Sequence, residues 1–147
     1  MIRGPLTGAS VFLKGIGMAD AVAIVTVFQG KRRISLHLTN RSDATGEADV
    51  LKLDISTLTG PTGGAVTKLI LEEVQYSIQG FTSVELQTDH TTDDVLLILS
   101  AGSGYMDFRD IGGLSKDSAG GTGDLLLTTF GATATSTYDI TLTFRMK

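Results

Sequence analysis

The sequence lacks cysteine and tryptophan, and only two of its 147 residues are proline. Without cysteine the chain has no disulfide scaffold, no thiol nucleophile and no cysteine-rich zinc site. Aromatic residues make up only 6% of the chain. Because sugar-cleaving sites are usually built with aromatic platforms, this scarcity disfavours a glycosidase.

Positive charge is also scarce. The chain has 12 Lys and Arg against 16 Asp and Glu, a net charge of −4, and its longest basic run is Lys31-Arg32-Arg33. A nucleic-acid-binding protein usually carries a basic stripe, so we expect no nucleic-acid partner. We interpret the basic run as a solvated strand end, or as a salt-sensitive contact with an acidic partner surface.

Long hydrophobic segments are absent as well. No apolar run approaches the roughly 20 residues that a membrane helix needs, so we expect no membrane partner. The apolar patch at residues 11–13 is followed by Lys14, and it is shorter than the roughly 7–15-residue core of a secretory signal. We therefore interpret residues 1–17 as an N-terminal arm and residues 18–147 as a single β-sandwich domain, in line with the length of the chain.

The arm ends where Met18 begins a segment that resembles a natural protein start. Unpaired sheet edges invite strand addition, so the apolar side chains of the arm are candidates for adding a strand to a neighbouring molecule. A strand added to the chain's own sheet, or a disordered tail, is the alternative. The candidate intermolecular contacts of the arm are Val11, Phe12, Leu13 and Ile16.

Glycine is abundant, at 18 of 147 residues, and it separates short segments that are rich in Thr, Val and Ile. Residues 33–39 and 138–147 alternate apolar and polar side chains, which is the period of a half-buried strand. Residues 22–29 form an apolar run that is typical of a buried or pairing strand. Residues 95–99 are continuously apolar, which predicts burial on both faces.

These segments predict an all-β fold, namely a jelly-roll-like antiparallel β-sandwich of about eight strands with an N-terminal arm. No segment between the strands has clear helix caps or a 3.6-residue period, which disfavours a parallel sheet with crossover helices. A helical turn over residues 69–74 is the one local alternative.

The glycine-rich stretch GSGYMDFRDIGGLSKDSAGGTGD, at residues 102–124, is the first candidate site. A phosphate loop requires GxxxxGK[ST] leading into a helix. The stretch has no Gly-Lys-Ser/Thr triplet, and it leads into a strand-like segment at residues 124–130. We therefore interpret its glycines as bends and bulges that need positive φ, and we expect no cofactor.

Candidate reactive groups are few. The segment Asp89–Asp94 holds three aspartates and a histidine, but its spacing matches no calcium loop, so we interpret it as a solvated turn. His37 lies on the polar side of a strand and His90 in that turn, and no GxSxG nucleophile elbow is present. Glu72 and Glu73 are adjacent, so on a strand they point to opposite faces. We expect a non-enzymatic protein with no catalytic residues and no metal site.

Three segments carry a resemblance to a known class of protein, at residues 18–40, at residues 70–86, and at residues 106–114 continued by residues 123–131. In this order they resemble small virion structural proteins of tailed bacteriophages, of the capsid decoration, or cement, type. The most telling element is the turn DFRDIGGL at residues 107–114. Similar phage proteins often carry two asparagines after that leucine, where this chain has Ser115-Lys116.

The resemblance implies a non-enzymatic β-protein, present in many copies, that decorates and stabilises an icosahedral capsid. Its partners would be the major capsid protein and further copies of itself, as a dimer or trimer. Its place would be the outer capsid surface of a virion that is assembled in the host cytoplasm.

Two alternatives stay open. One is another virion component, at the tail or at a fibre attachment. The other is a carbohydrate-binding β-sandwich module, which would need exposed aromatic residues in a groove. Of the three tyrosines, Tyr76 and Tyr138 are expected on core faces, which disfavours the second alternative.

Overall fold

The computed structural model describes residues 20–116 and 120–147, and over these ranges the fold is all-β, as predicted. The described strands are β1 (Ala21–Gln29), β2 (Arg33–Arg41), β3 (Val50–Leu53), β4 (Leu69–Thr88), β5 (Asp94–Asp107), β6 (Leu125–Phe130) and β7 (Thr137–Met146). There are seven of them in this part of the chain, against about eight expected. Residues 69–74, where a helical turn was the alternative, belong to β4.

Helical structure among the described residues consists of two single 3-10 turns, Ile55–Thr57 and Arg109–Ile111. Across residues 20–116 and 120–147, no helix has the length and apolarity that crossing a membrane requires.

All strand pairs are antiparallel, and the long strand β4 connects two halves of the sheet. Its first part, Leu69–Gln79, pairs with β7, and its last part, Ser83–Thr88, pairs with β6. β5 pairs with both parts from the other side. We call β1, β2, β7 and the adjoining parts of β4 and β5 the first half-sheet. The second half-sheet is β3, β6 and the remaining parts of β4 and β5.

The change of direction in β4 occurs at Gly80. This residue has a φ of +82°, and a Cβ atom built on it would lie 2.7 Å from the Oγ atom and 2.9 Å from the Cα atom of Ser136. Ser136 is fully buried, so a side chain at position 80 has no room. Glycine meets both the positive φ and the close approach of the backbone at this bend.

One core cluster takes side chains from both half-sheets. In the first half-sheet, Leu36 and Leu38 of β2 lie opposite Leu142 and Ile140 of β7, and all four are at most 1% exposed. The second half-sheet contributes buried leucines and a valine from β4, β5 and β6. These residues are Val84, Leu86, Leu99, Leu125 and Leu127. The alternating patterns of β2 and β7 are therefore confirmed as half-buried strands.

A buried polar network ties the loop after β2 to the core. The carboxylate of Glu47 accepts hydrogen bonds from Lys52 Nζ at 2.5 Å, from the Tyr138 hydroxyl at 2.6 Å and from Asn40 Nδ2 at 2.6 Å. The side chains of Lys52 and Glu47 are 0% and 4% exposed. Burial and the hydrogen bond to Glu47 raise the pKa of Tyr138 far above its usual value. Removal of one charge of this pair would leave the other buried without its counter-charge.

We therefore expect Glu47→Gln to lower the free energy of unfolding by about 3–5 kcal/mol, because Lys52 then stays buried and uncompensated. The double variant Glu47→Gln, Lys52→Met removes both charges and should lose less than the single variant. Urea unfolding followed by circular dichroism measures both.

The matched control is Asp139→Asn, which weakens the solvent-exposed contact between His37 Nε2 and the Asp139 carboxylate. Exposed pairs contribute at most about 1 kcal/mol. A Glu47→Gln variant as stable as this control would contradict the structural role of the buried pair.

Candidate functional site

Strand β1 is a large uncovered apolar surface. All nine of its residues, AVAIVTVFQ, are exposed, and the strand contains no charged residue, glycine or proline. Val25, Val27 and Phe28 are 53%, 61% and 55% exposed. The prediction of a pairing strand is confirmed by its ladder with β2, whereas the alternative of a buried strand is wrong.

The topology explains this exposure. The first half-sheet extends three strands beyond β4, through β7 and β2 to β1, whereas the second extends only two, through β6 to β3. Ile24 lies opposite Leu38 in the ladder, so both side chains point to the core side. Leu38 is 0% exposed and Ile24 is 45% exposed. The second half-sheet therefore covers β2 but leaves both faces of β1 open.

One edge of β1 also lacks a partner. Within the described residues β1 pairs with β2 alone, and its other edge meets no strand. Natural edge strands are usually protected from association by charged residues, prolines or bulges. The single irregularity of β1 is a bulge between Thr26 and Phe28. Its free edge is thus open to pairing with another strand.

The N-terminal end of β1 is acidic and well ordered by hydrogen bonds. Asp20 precedes the strand, and its carboxylate accepts hydrogen bonds from Asn40 Nδ2 at 2.9 Å, the Thr45 hydroxyl at 2.9 Å and the Ser42 hydroxyl at 3.0 Å. Partial burial acts to raise the pKa of Asp20, but the hydrogen bonds from Asn40, the Asp43 backbone, Thr45 and Ser42 outweigh it and lower that pKa to about 2. Asp20 therefore carries a negative charge at neutral pH, and the exposed Arg41 lies opposite Ala21 at the same end.

The C-terminal end of β1 is basic. Lys31 and Arg32 follow the strand and are exposed. Arg33 donates from Nε to Glu72 at 2.7 Å, and Arg145 contacts the same carboxylate at 3.4 Å. Glu72 offsets one of the two positive charges of Arg33 and Arg145, and the exposed Lys31 and Arg32 add further positive charge next to β1.

A second exposed apolar group lies on the outer face of the second half-sheet, where the prediction of a strand buried on both faces is wrong. In β5, Leu96 and Leu99 are buried, but Val95 and Ile98 are 39% and 54% exposed. The exposed apolar residues of this group are Leu51, Val95, Ile98 and Phe130.

The DFRDIGGL turn, at residues 107–114, is held firmly against β4. Leu71 and Leu114 exchange two backbone hydrogen bonds, at 2.7 and 2.8 Å. Arg109 donates two side-chain hydrogen bonds to Asp107, at 2.9 and 2.7 Å. The side chain and then the backbone N–H of Arg109 lower the pKa of Asp107 to about 2. At the tip of the turn, Ile111 is 70% exposed, so a rigid turn presents an apolar side chain to solvent.

The rest of the glycine-rich stretch is divided among several elements. Residues 102–107 belong to β5, and residues 117–119 lie outside the described ranges. Five of its glycines have positive φ, as the interpretation of bends and bulges predicts, whereas Gly104 and Gly121 do not. The five are Gly102, Gly112, Gly113, Gly120 and Gly123.

The adjacent carboxylates Glu72 and Glu73 have separate partners. Glu72 is buried between Arg33 and Arg145. Glu73 accepts a hydrogen bond from the Tyr105 hydroxyl and lies 3.8 Å from Arg109. Each carboxylate therefore stabilises a contact between elements, and a bulge interrupts the ladder of β4 with β7 between Leu71 and Glu73.

The acidic segment Asp89–Asp94 forms the turn between β4 and β5. Asp89 accepts hydrogen bonds from the backbone N–H of Thr122 at 2.8 Å and from its hydroxyl at 2.7 Å, and these bonds lower the pKa of Asp89. His37 lies elsewhere, on β2, where Nε2 contacts Asp139 at 2.7 Å. Within residues 20–116 and 120–147, no group of three or more His, Cys, Asp or Glu could hold a metal ion.

The tyrosines lie as the alternation predicts. Tyr138 is 2% exposed and Tyr76 packs against the core, whereas Tyr105 is 56% exposed. Tyr105 borders an open depression that it shares with the polar residues Gln75, Asp139 and Thr141.

The four arm residues that were predicted to contact a neighbour, Val11, Phe12, Leu13 and Ile16, lie outside the described residues. The sequence did not lead us to predict β1 as an exposed surface, although one signal was present. Residues 21–29 carry no charge, while Asp20 and Lys31 lie close on either side.

Comparison with known proteins finds no matching family model, no matching curated protein and no matching solved structure.

The turn at residues 107–114 gives a matched pair of glycine variants. Gly112 and Gly113 have φ of +85° and +89°, but a Cβ at Gly112 would meet nothing within 4 Å, whereas a Cβ at Gly113 would lie 2.3 Å from Ile70 Cγ2 and 3.0 Å from the Leu71 oxygen. We expect Gly112→Ala to cost about 1–2 kcal/mol, the price of the left-handed conformation alone. Gly113→Ala should cost about 2–4 kcal/mol, because overpacking is added. Denaturant unfolding of both variants tests this difference, and equal losses would show that the packing of Gly113 against β4 is not as described.

Proposed function

We propose that this protein is a structural protein of a phage virion that decorates and stabilises the icosahedral capsid. In this role it is a non-enzymatic cement protein on the outer capsid surface, present in many copies, and it binds the major capsid protein and further copies of itself. The host cytoplasm is then the place where it is assembled into particles.

The observation that carries the proposal is β1, a nine-residue strand that is exposed on both faces and has no charge. A contiguous exposed apolar surface of this kind is typical of a protein–protein interaction site. The resemblance to capsid decoration proteins, which spans most of residues 18–147, is the reason for proposing the major capsid protein as a partner. Many equivalent contacts of modest area can hold a shell together through multivalency.

The engagement of the ionisable side chains supports the same function. Glu47, Glu72 and Asp107 are each held by a cationic side chain within the fold. These groups stabilise strands and turns, and they are not directed together into a cleft. These charged groups thus serve the fold, and the exposed apolar strand β1 is the feature that suits an assembly role.

Immunogold labelling of intact particles tests the proposal, and label over the heads is the expected result. Heads that lack the protein should release DNA at a lower temperature than complete heads, and adding back the purified protein should restore the higher temperature. An unrelated soluble protein at equal concentration is the control. Label over tails would contradict the capsid position and indicate a tail or fibre-attachment protein instead. Absence of label from the whole particle would contradict any virion role.

Carbohydrate binding is the second candidate function, because the depression beside Tyr105 combines an exposed aromatic ring with polar side chains. If this is the function, a glycan array should identify a defined sugar, and Tyr105→Ala should weaken its binding by about tenfold, or 1.4 kcal/mol. Ile111→Ala is the control, since Ile111 is also exposed and does not line the depression. No binding across the array would eliminate this candidate.

A further inference from the structure

We propose that β1 is the self-association strand of this protein, and that β1 of a second copy pairs with its free edge in an antiparallel arrangement about a two-fold axis. This inference rests on the proposed function in one respect: in both, β1 makes a contact with another protein molecule. It identifies the partner of this edge as a second copy of the chain.

The backbone of β1 is ready for such a pairing. In an antiparallel ladder, alternate residues direct their N–H and C=O groups away from the neighbouring strand. Along β1 these groups point to an edge that no described strand occupies. A second β1 would satisfy them, and the two first half-sheets would become one continuous sheet across the dimer.

The side chains of β1 favour a copy of the same strand. Val22 and Ile24 are exposed on the core side, and Val25 is exposed on the outer side, where it lies opposite His37. Apolar residues thus continue on both faces of the sheet up to the free edge. No charge lies within the strand, so a copy of it brings no like-charge repulsion into the contact.

The charged ends of β1 select the antiparallel direction. Asp20 lies at the N-terminal end, and the exposed Lys31 and Arg32 lie just beyond the C-terminal end. In an antiparallel pair each acidic end lies beside a basic end, whereas a parallel pair would bring like ends together. A two-fold contact uses the same surface on both copies, and β1 with its ends is complementary to itself in this way.

Full overlap of the two strands places the two-fold axis at the middle residue, Val25. Ala23 and Ala21 then lie progressively farther from their own counterparts in the other copy. For identical positions in the two copies, the offset along the strand direction grows by about 13 Å for every two residues away from the axis. This follows because each of the two strands rises about 3.3 Å per residue, in opposite directions.

Spin labels measure these separations directly. The chain has no cysteine, so Val25→Cys, Ala23→Cys and Ala21→Cys each give a single labelling site. All three positions lie on the outer face of the same regular part of β1, before the bulge. The interstrand spacing of about 5 Å is perpendicular to the offsets along the strand, so the backbone separations should be about 5 Å at position 25, about 14 Å at position 23 and about 27 Å at position 21. On the full-length protein, dipolar broadening of continuous-wave spectra measures the two short distances, and double electron–electron resonance measures the long one.

A matched pair of lysine variants tests the contact by an independent measurement. Val25 and Ile98 are apolar and 53% and 54% exposed, but only Val25 lies on β1. Val25→Lys places two like charges opposite each other at the axis, so the dissociation constant of the dimer should rise at least about tenfold. Ile98→Lys should leave it unchanged. Sedimentation equilibrium measures the constant, and circular dichroism verifies that both variants are folded.

Several results would overturn the inference. Three equal short distances would indicate a parallel pair, and a trimer mass would exclude the two-fold axis. A monomer without any distance between copies would mean that β1 is covered by residues 1–19 of its own chain or by a different protein. Equal effects of Val25→Lys and Ile98→Lys would place the contact elsewhere.

Binding of the same preparation to heads that lack the protein separates the two proposals. Head binding without β1 pairing would overturn this inference and leave the proposed function intact. Pairing through β1 without head binding would support the inference and contradict the capsid role.

Discussion

The fold depends on one constraint, which is that a single strand, β4, closes both half-sheets and must bend at Gly80. β7 uses the first part of β4 and β6 uses the last part, so both sides of the core take their register from the same twenty residues. The contact of Gly80 with buried Ser136 fixes the position of the bend. With three strands beyond β4 on one side and two on the other, β1 becomes the strand that no other described strand covers.

The ionisable side chains serve this architecture. Lys52 and Glu47 join the loop after β2 to the core, Glu72 joins β4 to Arg33 of β2 and Arg145 of β7, and Arg109 stiffens its own turn through Asp107. Such pairs are costly to bury and costly to break, so they specify how the elements fit together more than they add to stability.

The sequence predicts the covered strands better than the uncovered ones, for a physical reason. In β2, Leu36 and Leu38 alternate with polar residues, and in β7 Ile140 and Leu142 do the same. This alternation predicts a strand with one buried face and one solvent-facing face, and the structure has that arrangement. An apolar run such as residues 21–29 or 95–99 has no alternation, so it does not predict which face of the strand the rest of the chain covers. The structure leaves residues of both runs exposed. The bend at Gly80 was also beyond prediction, because it depends on contact with Ser136, which lies 56 residues away in sequence.

The apolar character of β1 is not explained by packing within residues 20–116 and 120–147. Val25, Val27 and Phe28 stay more than half exposed, so they bury little surface when a single copy folds. Polar residues at these positions would keep the backbone ladder with β2 and would reduce the hazard of an open edge. Burial against another molecule, in contrast, stabilises the contact by about 25 cal/mol for each Å² of apolar surface removed from water. The proposed pairing of β1 with a second copy would account for this composition, and the charges at the two ends of β1 restrict the direction in which such a strand fits.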